Sequence, residues 1–249
     1  MQFDGSSLVI IDKVDSTNNY AMGLIREGLT KHGAAYFAIE QTAGKGRRSK
    51  GWTAEKGKNI ILSIVVAPDF LNIQNQFQLS VVAALGCYDL FKNYAGDNVY
   101  LKWPNDIFWN DRKAGGILIE NVIKGKKWKW SIVGIGININ QTKFNITSNF
   151  LPVSLKQITG KDFNIIELAN QLYVFIMKRY LQLQQGDFKK MLAVYNSYLF
   201  ALNRKIKFKK DNIIFEATVK GVSETGELIT FDDTERLFNF DEIEWLKTK

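Results

Sequence analysis

The sequence predicts an α+β architecture, a mixed β-sheet with helices packed on it, followed by a small C-terminal β-barrel. Three observations carry this. Up to residue 140, short apolar runs of strand character are interspersed with helical stretches without regular strand-helix alternation. After residue 164, two segments repeat apolar residues at helical spacing. From Arg204 onward, short strands recur every eight to ten residues with Gly221 and Gly226 between them. The expected division is one domain over residues 1–200 and a second over 201–249.

Leu8 to Ile11 is a short apolar strand, and Asp15-Ser16-Thr17-Asn18 supplies capping side chains where a helix begins, over Thr17 to Glu27. A strand over Ala35 to Gln41 follows. Thr42 to Lys58 is a long loop rich in Gly, Lys and Arg, and a strand over Asn59 to Ala67 succeeds it. Phe77, Val81, Ala84, Leu85, Tyr88 and Phe91 mark a helix over Gln76 to Asn93. Strands over Val99 to Lys102, Asp106 to Trp109, Gly116 to Ile123 and Trp128 to Asn140 come next, the last two a hairpin turning at Lys124-Gly125-Lys126. The Trp128 to Asn140 strand is a candidate sheet edge for a homodimer. Ile165 to Leu183 and Phe188 to Leu199 are helices. The final strands span Lys205 to Lys209, Ile213 to Val219, Glu227 to Phe231, Glu235 to Phe240 and Glu242 to Leu246. In the first of these, charged and apolar residues alternate, as in a half-buried strand; an anion-binding patch is the other reading.

The chain has 249 residues, a net charge of +8 and 46% hydrophobic residues, an ordinary globular composition. The longest apolar stretch, Ile60 to Ala67, is far shorter than the ~20 residues of a membrane span, and the first residues do not resemble a secretory signal. No membrane association and a cytoplasmic location are expected. Cys87 and His32 are the only residues of their types, which excludes disulfide frameworks, Cys/His zinc sites and HExxH metalloproteases. His32 falls in a turn-like stretch and is expected at the surface; Cys87 falls on the apolar face of a helix and is expected to be buried and inert. Catalysis must then rest on Lys, Arg, Asp, Asn or backbone groups, which suit stabilisation of an anion.

Four segments exceed what folding alone requires. Gly44-Lys45-Gly46-Arg47-Arg48-Ser49-Lys50-Gly51-Trp52 combines glycines, which admit close backbone approach, with cations for phosphate or carboxylate; a solvated basic loop is the plain alternative. It is not a Walker A loop. Lys102-Trp103-Pro104-Asn105-Asp106 displays Lys102, Asn105 and Asp106 at strand ends, or is simply a tight turn. In Lys113-Ala114-Gly115-Gly116, a bulge or close approach explains the glycines but not the lysine. Gly134-Ile135-Gly136-Ile137-Asn138 leaves a strand face without side chains, as if another group packs there.

In this order, Ser16-Thr17-Asn18, Gln41 to Arg48 with Trp52, Lys102 to Asp106, Lys113 to Leu118 and Gly134 to Asn138 resemble the motifs of biotin protein ligases. The resemblance covers roughly residues 15–140. It implies a fold like that of class II aminoacyl-tRNA synthetases and biotin/lipoate ligases, with the tail as an SH3-like domain. It also implies a two-step reaction: the biotin carboxylate attacks the α-phosphorus of ATP, and a lysine of a biotin carboxyl carrier protein then attacks the biotinyl-5′-AMP. By position, Ser16, Thr17, Asn18, Gln41, Gly44, Lys45, Gly46, Arg47, Lys113, Gly115 and Gly116 would bind biotin. Arg47, Arg48, Trp52, Lys102, Asn105, Lys113 and Asn138 would bind ATP, Trp52 beside the adenine and Asn138 at its edge. Lys113, Arg47 and Asp106 would be catalytic, with Asp106 supporting Mg²⁺ or orienting Lys113. Lys45 stands where the family commonly has Arg, and Ser49-Lys50 where Gly-Arg is frequent. A lysine cannot form arginine's bidentate fork, which implies faster release of the adenylate. Many relatives carry an N-terminal helix-turn-helix repressor domain; the Ser-Thr-Asn segment begins at residue 16, so a ligase without repression or specific DNA binding is expected. The alternatives are a lipoate protein ligase, which shares the fold, and a non-enzymatic nucleic-acid-binding protein, suggested by the basic charge.

Overall fold

A computed structural model describes residues 8–47, 51–125, 127–145 and 149–246. Seven strands form a mixed sheet: β1 (Leu8–Val14), β2 (Ala35–Gln41), β3 (Ile60–Val66), β4 (Val99–Lys102), β5 (Asp106–Trp109), β6 (Arg112–Lys124) and β7 (Lys127–Ile137), in the order β1-β2-β3-β7-β6-β5-β4. Only β1 and β2 pair in parallel; the other pairs are antiparallel. Helix α1 (Thr17–Glu27) starts where Ser16 Oγ accepts the Asn19 N–H and stops where Gly28 turns left-handed at φ 71°.

The sheet is covered on both faces. Along β2 the side chains alternate: Ala35 and Phe37 join the main core, while Tyr36 joins Ala21 of α1, Val65 and Ile132 in a smaller cluster. The main face is packed by α2 (Phe77–Ala95), α4 (Ile165–Gln184) and α5 (Phe188–Ser197). A five-residue helix α3 (Leu155–Thr159) escapes a periodicity search by its shortness, although Ser154 and Gln157 form the capping box that the Ser-x-x-Gln spacing encodes.

Strands β8 (Lys205–Lys210), β9 (Ile213–Val222), β10 (Leu228–Phe231), β11 (Glu235–Phe238) and β12 (Glu244–Trp245) form a five-stranded antiparallel sheet, order β11-β10-β9-β8-β12. The expected small barrel thus takes the form of this sheet, with β11 and β12 outermost. In β8 the alternation is a half-buried strand: Ile206 and Phe208 are buried, and Lys205 and Lys207 pair with Glu216. The second sheet is joined to the first, since Trp103 Nε1 donates to Gly226 O at 2.8 Å and Asn196 bonds the Val222 backbone in both directions.

Two expectations are corrected. The Trp128 to Asn140 strand is not a sheet edge: β7 pairs along its length with β3 and β6, and the edges are β1 and β4. His32 is not a solvated surface residue but half-buried, its Nδ1 accepting the Ala67 N–H at 3.1 Å and its ring against Tyr180. Cys87 is fully buried in α2, and burial pushes its thiol up, out of reach of thiolate chemistry. Arg48, Ser49, Lys50 and the hairpin residue Lys126 lie outside the described residues.

Candidate active site

A cavity of about 430 Å³ opens over β2, β3, β7, β6 and β5 and is closed on one side by the C-terminal sheet. Ser16, Thr17 and Asn18 line it from the buried first turn of α1, where the helix presents its positive end. Gln41, at the end of β2, bonds this turn through Oε1, which accepts the Thr17 N–H at 2.9 Å. Ser63 Oγ lies 2.8 Å from Thr17 Oγ1 and 2.6 Å from Asn18 Oδ1. On the other side, Asn18 Nδ2 donates to Glu120 Oε2 at 2.6 Å. The amide is therefore held by its oxygen and its nitrogen, by two residues that the sequence reading missed. A signal for both was there: Ser63 is the one polar residue of the otherwise apolar β3, and Glu120 ends the apolar run Ile117-Leu118-Ile119 of β6.

The glycines of β7 explain why α1 and the loop come so close. A side chain at Gly134 would collide with the Asn18 amide, and one at Gly136 with the Trp52 indole. Trp52 in turn is tied to the loop by its backbone N–H, which donates to Gly44 O at 2.8 Å. A side chain at Gly44 would strike the Trp52 backbone and the Gln41 amide, so Gly44 shapes the cavity without lining it.

Lys113 owes its position to a bulge. The register of β5 on β6 passes from Ile107 opposite Gly115 to Phe108 opposite Lys113, leaving Ala114 as the extra residue. This turns Lys113 towards the face of Gly116, whose register partner is Asp106; Lys113 Nζ stands 2.6 Å from Asp106 Oδ1. An added Cβ at Gly116 would lie 3.5 Å from both atoms, so the glycine leaves the pair open to the cavity. Gly115 instead lies against β7, where a Cβ would be 2.8 Å from Gly136 O. Outside the sheet, the Lys113 backbone is fixed by Leu151 and Val153 at 2.8 and 2.9 Å. Asn138 secures the same bulge, its N–H bonding Ala114 O and its Nδ2 donating to Lys113 O and Val153 O.

The loop cations lie over this floor. Lys45 Nζ is 3.8 Å from Glu120, and Arg47 bonds Asp241 at 3.1 Å with its guanidinium 5.2 Å from the Phe240 ring centre. Asn105 lines the cavity and bonds the Ile117 carbonyl through Nδ2 at 2.7 Å. Lys102, Gly46 and Trp52 also line it. Phe150, Phe240, Asp241 and Trp245 complete the wall; nothing in the sequence placed them there, because their neighbourhood arises only when the second sheet docks. Among the described residues no group of three His, Cys, Asp or Glu could hold a metal ion. Asp106 is a single carboxylate already paired with a lysine, so Mg²⁺ would have to arrive with its phosphate ligands.

What the arrangement can do is bind an elongated anion: a polar recess at α1, a lysine-carboxylate pair midway, and further cations beyond. Comparison with known proteins agrees. The model of the biotin/lipoate A/B protein ligase family matches residues 10–138. A biotin–[acetyl-CoA-carboxylase] ligase of Mycobacterium tuberculosis is 31% identical over 203 residues, covering 80% of this chain and 73% of its own. The bifunctional ligase/repressor BirA of Bacillus subtilis is 28% identical over 227 residues, covering 90% and 69%. The solved structure of the Aquifex aeolicus biotin protein ligase with biotin and ATP superposes with a TM-score of 0.81 at 25% identity, covering 98% of this chain and 100% of that one. The chain belongs to the biotin/lipoate A/B protein ligase family.

Proposed function

We propose that this protein is an ATP-dependent biotin protein ligase, which activates biotin as biotinyl-5′-AMP and transfers it to a lysine of a biotin carboxyl carrier protein or domain. The observation that carries the reading is the Lys113 ammonium, held at 2.6 Å by Asp106 on the cavity floor between the α1 recess and the cationic wall. Residues 1–200 would form the catalytic domain and 201–249 the SH3-like domain.

The α1 recess supplies fixed donors and acceptors for the uncharged polar end of biotin, through Ser16, Thr17, Asn18 and Gln41. Lys113 then meets the biotin carboxylate and the α-phosphate together. A carboxylate oxygen forms a bond to the α-phosphorus as the bond to the β-phosphate oxygen breaks, and diphosphate leaves. Negative charge concentrates on the α-phosphoryl oxygens, where Lys113 and Arg47 stand preorganised. In the second step the neutral amine of the carrier lysine attacks the acyl carbon, an amide forms, AMP leaves and the amine proton passes to solvent. Neither step needs a histidine or thiol, in keeping with His32 and Cys87 lying outside the cavity lining. Trp52 would pack beside the adenine, and Asn138 Oδ1 would read its edge while Nδ2 holds the bulge.

Lys45, Arg47, Lys102 and Lys113 converge on one cavity, which favours a small anionic substrate over nucleic acid. No helix among the described residues is long and apolar enough to cross a membrane, and a cytoplasmic location goes with the reading. Self-association through a sheet edge would use β1, with exposed Val9 and Ile10, since the outer edge of β4 is taken by backbone bonds from Leu101 to Tyr198 and Phe200. Isothermal titration with biotin, then with ATP and Mg²⁺, followed by mass spectrometry of the bound small molecule, tests the proposal: biotin binding followed by formation of biotinyl-adenylate supports it, and no binding of biotin at high micromolar concentration refutes it.

A further inference from the structure

The polar recess at α1 is backed by a chain of hydrogen bonds whose direction is set from outside the cavity. Glu120 on β6 and Ser63 on β3 lie behind the lining and not in it. Glu120 Oε1 stands 3.8 Å from Lys45 Nζ, and Oε2 accepts from Asn18 Nδ2 at 2.6 Å. A carboxylate in an ion pair accepts and cannot donate, so the Asn18 amide must turn its NH2 towards Glu120. The same nitrogen reaches Leu118 O at 3.4 Å. Asn18 Oδ1 is thereby left facing Ser63 Oγ at 2.6 Å, and an amide oxygen has no proton to give. Ser63 has one hydroxyl hydrogen, and Oδ1 takes it. The 2.8 Å contact between Ser63 Oγ and Thr17 Oγ1 must then be bridged by the Thr17 hydrogen. Thr17, Asn18 and Ser63 are all buried, so water does not reorder the chain.

The consequence appears at the cavity surface. With its hydrogen turned inward, Thr17 Oγ1 offers the cavity lone pairs only, and Asn18 Oδ1 keeps its second lone pair. Gln41 Oε1 is taken by the Thr17 N–H at 2.9 Å, so Gln41 offers its NH2. Acceptors beside a donor suit a ring that carries N–H next to a carbonyl, as the cyclic urea of biotin does; the dithiolane ring of lipoate has neither group. A site built to bond an N–H rejects an analogue without it, because its acceptors are then left unpaired. We infer that Glu120 is a positioning residue: its charge fixes the direction of the chain through Asn18, Ser63 and Thr17, and so makes the recess selective for a ring that donates N–H. The inference rests on the ligase reading above.

The test titrates the parent protein, Glu120→Gln, Ser63→Ala and the Glu120→Gln/Ser63→Ala double variant with three ligands: biotin, dethiobiotin, and the cyclic carbonate that has oxygen in place of both ring N–H groups of dethiobiotin. Glutamine keeps the shape of Glu120 but can face Asn18 with its oxygen or its nitrogen, so the direction of the chain is no longer imposed. Glu120→Gln should weaken biotin and dethiobiotin about tenfold and leave the carbonate within about twofold of its parent affinity. Ser63→Ala opens the chain at its buried link; it should show the same preference for which ligand is lost, and it serves if Glu120→Gln does not fold. The double variant should be no worse than the weaker single variant, because both remove one interaction. Unchanged biotin affinity in Glu120→Gln, additive effects, or an equal loss for dethiobiotin and the carbonate would overturn the inference; the last is what an effect of Glu120 on the loop through Lys45 alone would give. If the parent binds no biotin, the ligase reading fails and the inference falls with it. If the parent binds biotin and Glu120→Gln binds it equally well, the inference alone fails.

Discussion

Lys113 Nζ and Asp106 Oδ1 meet at 2.6 Å across a bulged pair of strands, beside a glycine that leaves them open to the cavity. In the proposed reaction the lysine supplies the charge that the transition state needs, and the carboxylate fixes where that charge sits. Lys113→Ala should lower biotin-dependent diphosphate release by roughly 10²- to 10³-fold, the usual cost of losing one preorganised donor. Asp106→Asn should cost less, since the lysine remains but is held less firmly. A Lys113→Ala protein that forms the adenylate at the parent rate would remove the central assignment.

Gly134 faces the Asn18 amide, which Ser63 and Glu120 hold from either side. Gly134→Ala should therefore weaken biotin binding by about tenfold or more, and overpacking of this kind typically destabilises a fold by about 1–3 kcal/mol. Titration with biotin and a thermal melt separate the two effects. Unaltered biotin affinity would show that Asn18 plays no part in recognition.

Lys45 reaches Glu120 only at 3.8 Å, as a point charge with no fork geometry. Lys45→Arg should grip the loop more firmly and slow release of the adenylate several-fold, measured by chasing labelled intermediate with unlabelled biotin. Equal release rates would show that this position does not govern retention.

Much of this was legible in the sequence. Helix α1 and strands β2, β4 and β5 have the residue limits expected of them, because caps, a proline turn and the glycine-rich loop bound each one locally. The glycines at 134 and 136 were read as leaving space for another group, and Asn18 and Trp52 fill it. What was not legible depends on contacts distant in sequence. Whether β7 is an edge is decided by its pairing with β3, some seventy residues earlier, and strand chemistry does not encode that. Phe150 and Trp245 look like ordinary core residues until β12 brings them to Lys102. His32 sits in turn-like sequence, yet is drawn inward by the Ala67 N–H and Tyr180.

That histidine gives the fold a pH dependence. Burial holds His32 below its ordinary value of 6.5, against a smaller opposing pull from Asp69. The folded state therefore favours the neutral ring, which Nδ1 needs in order to accept from Ala67. Its contribution to stability is complete above the ordinary histidine value and is lost as pH falls through the lowered folded value. The melting temperature should decline over this acidic range, and His32→Gln should flatten that decline. An identical pH profile in the variant would contradict the assignment.

The most direct measurement offers the protein biotin or lipoate, each with ATP, Mg²⁺ and a biotin carboxyl carrier domain, and weighs the carrier by mass spectrometry. The account predicts a single biotinyl addition on one carrier lysine, dependent on ATP and abolished in Lys113→Ala. A carrier left unmodified with biotin, or modified only with lipoate, would contradict it.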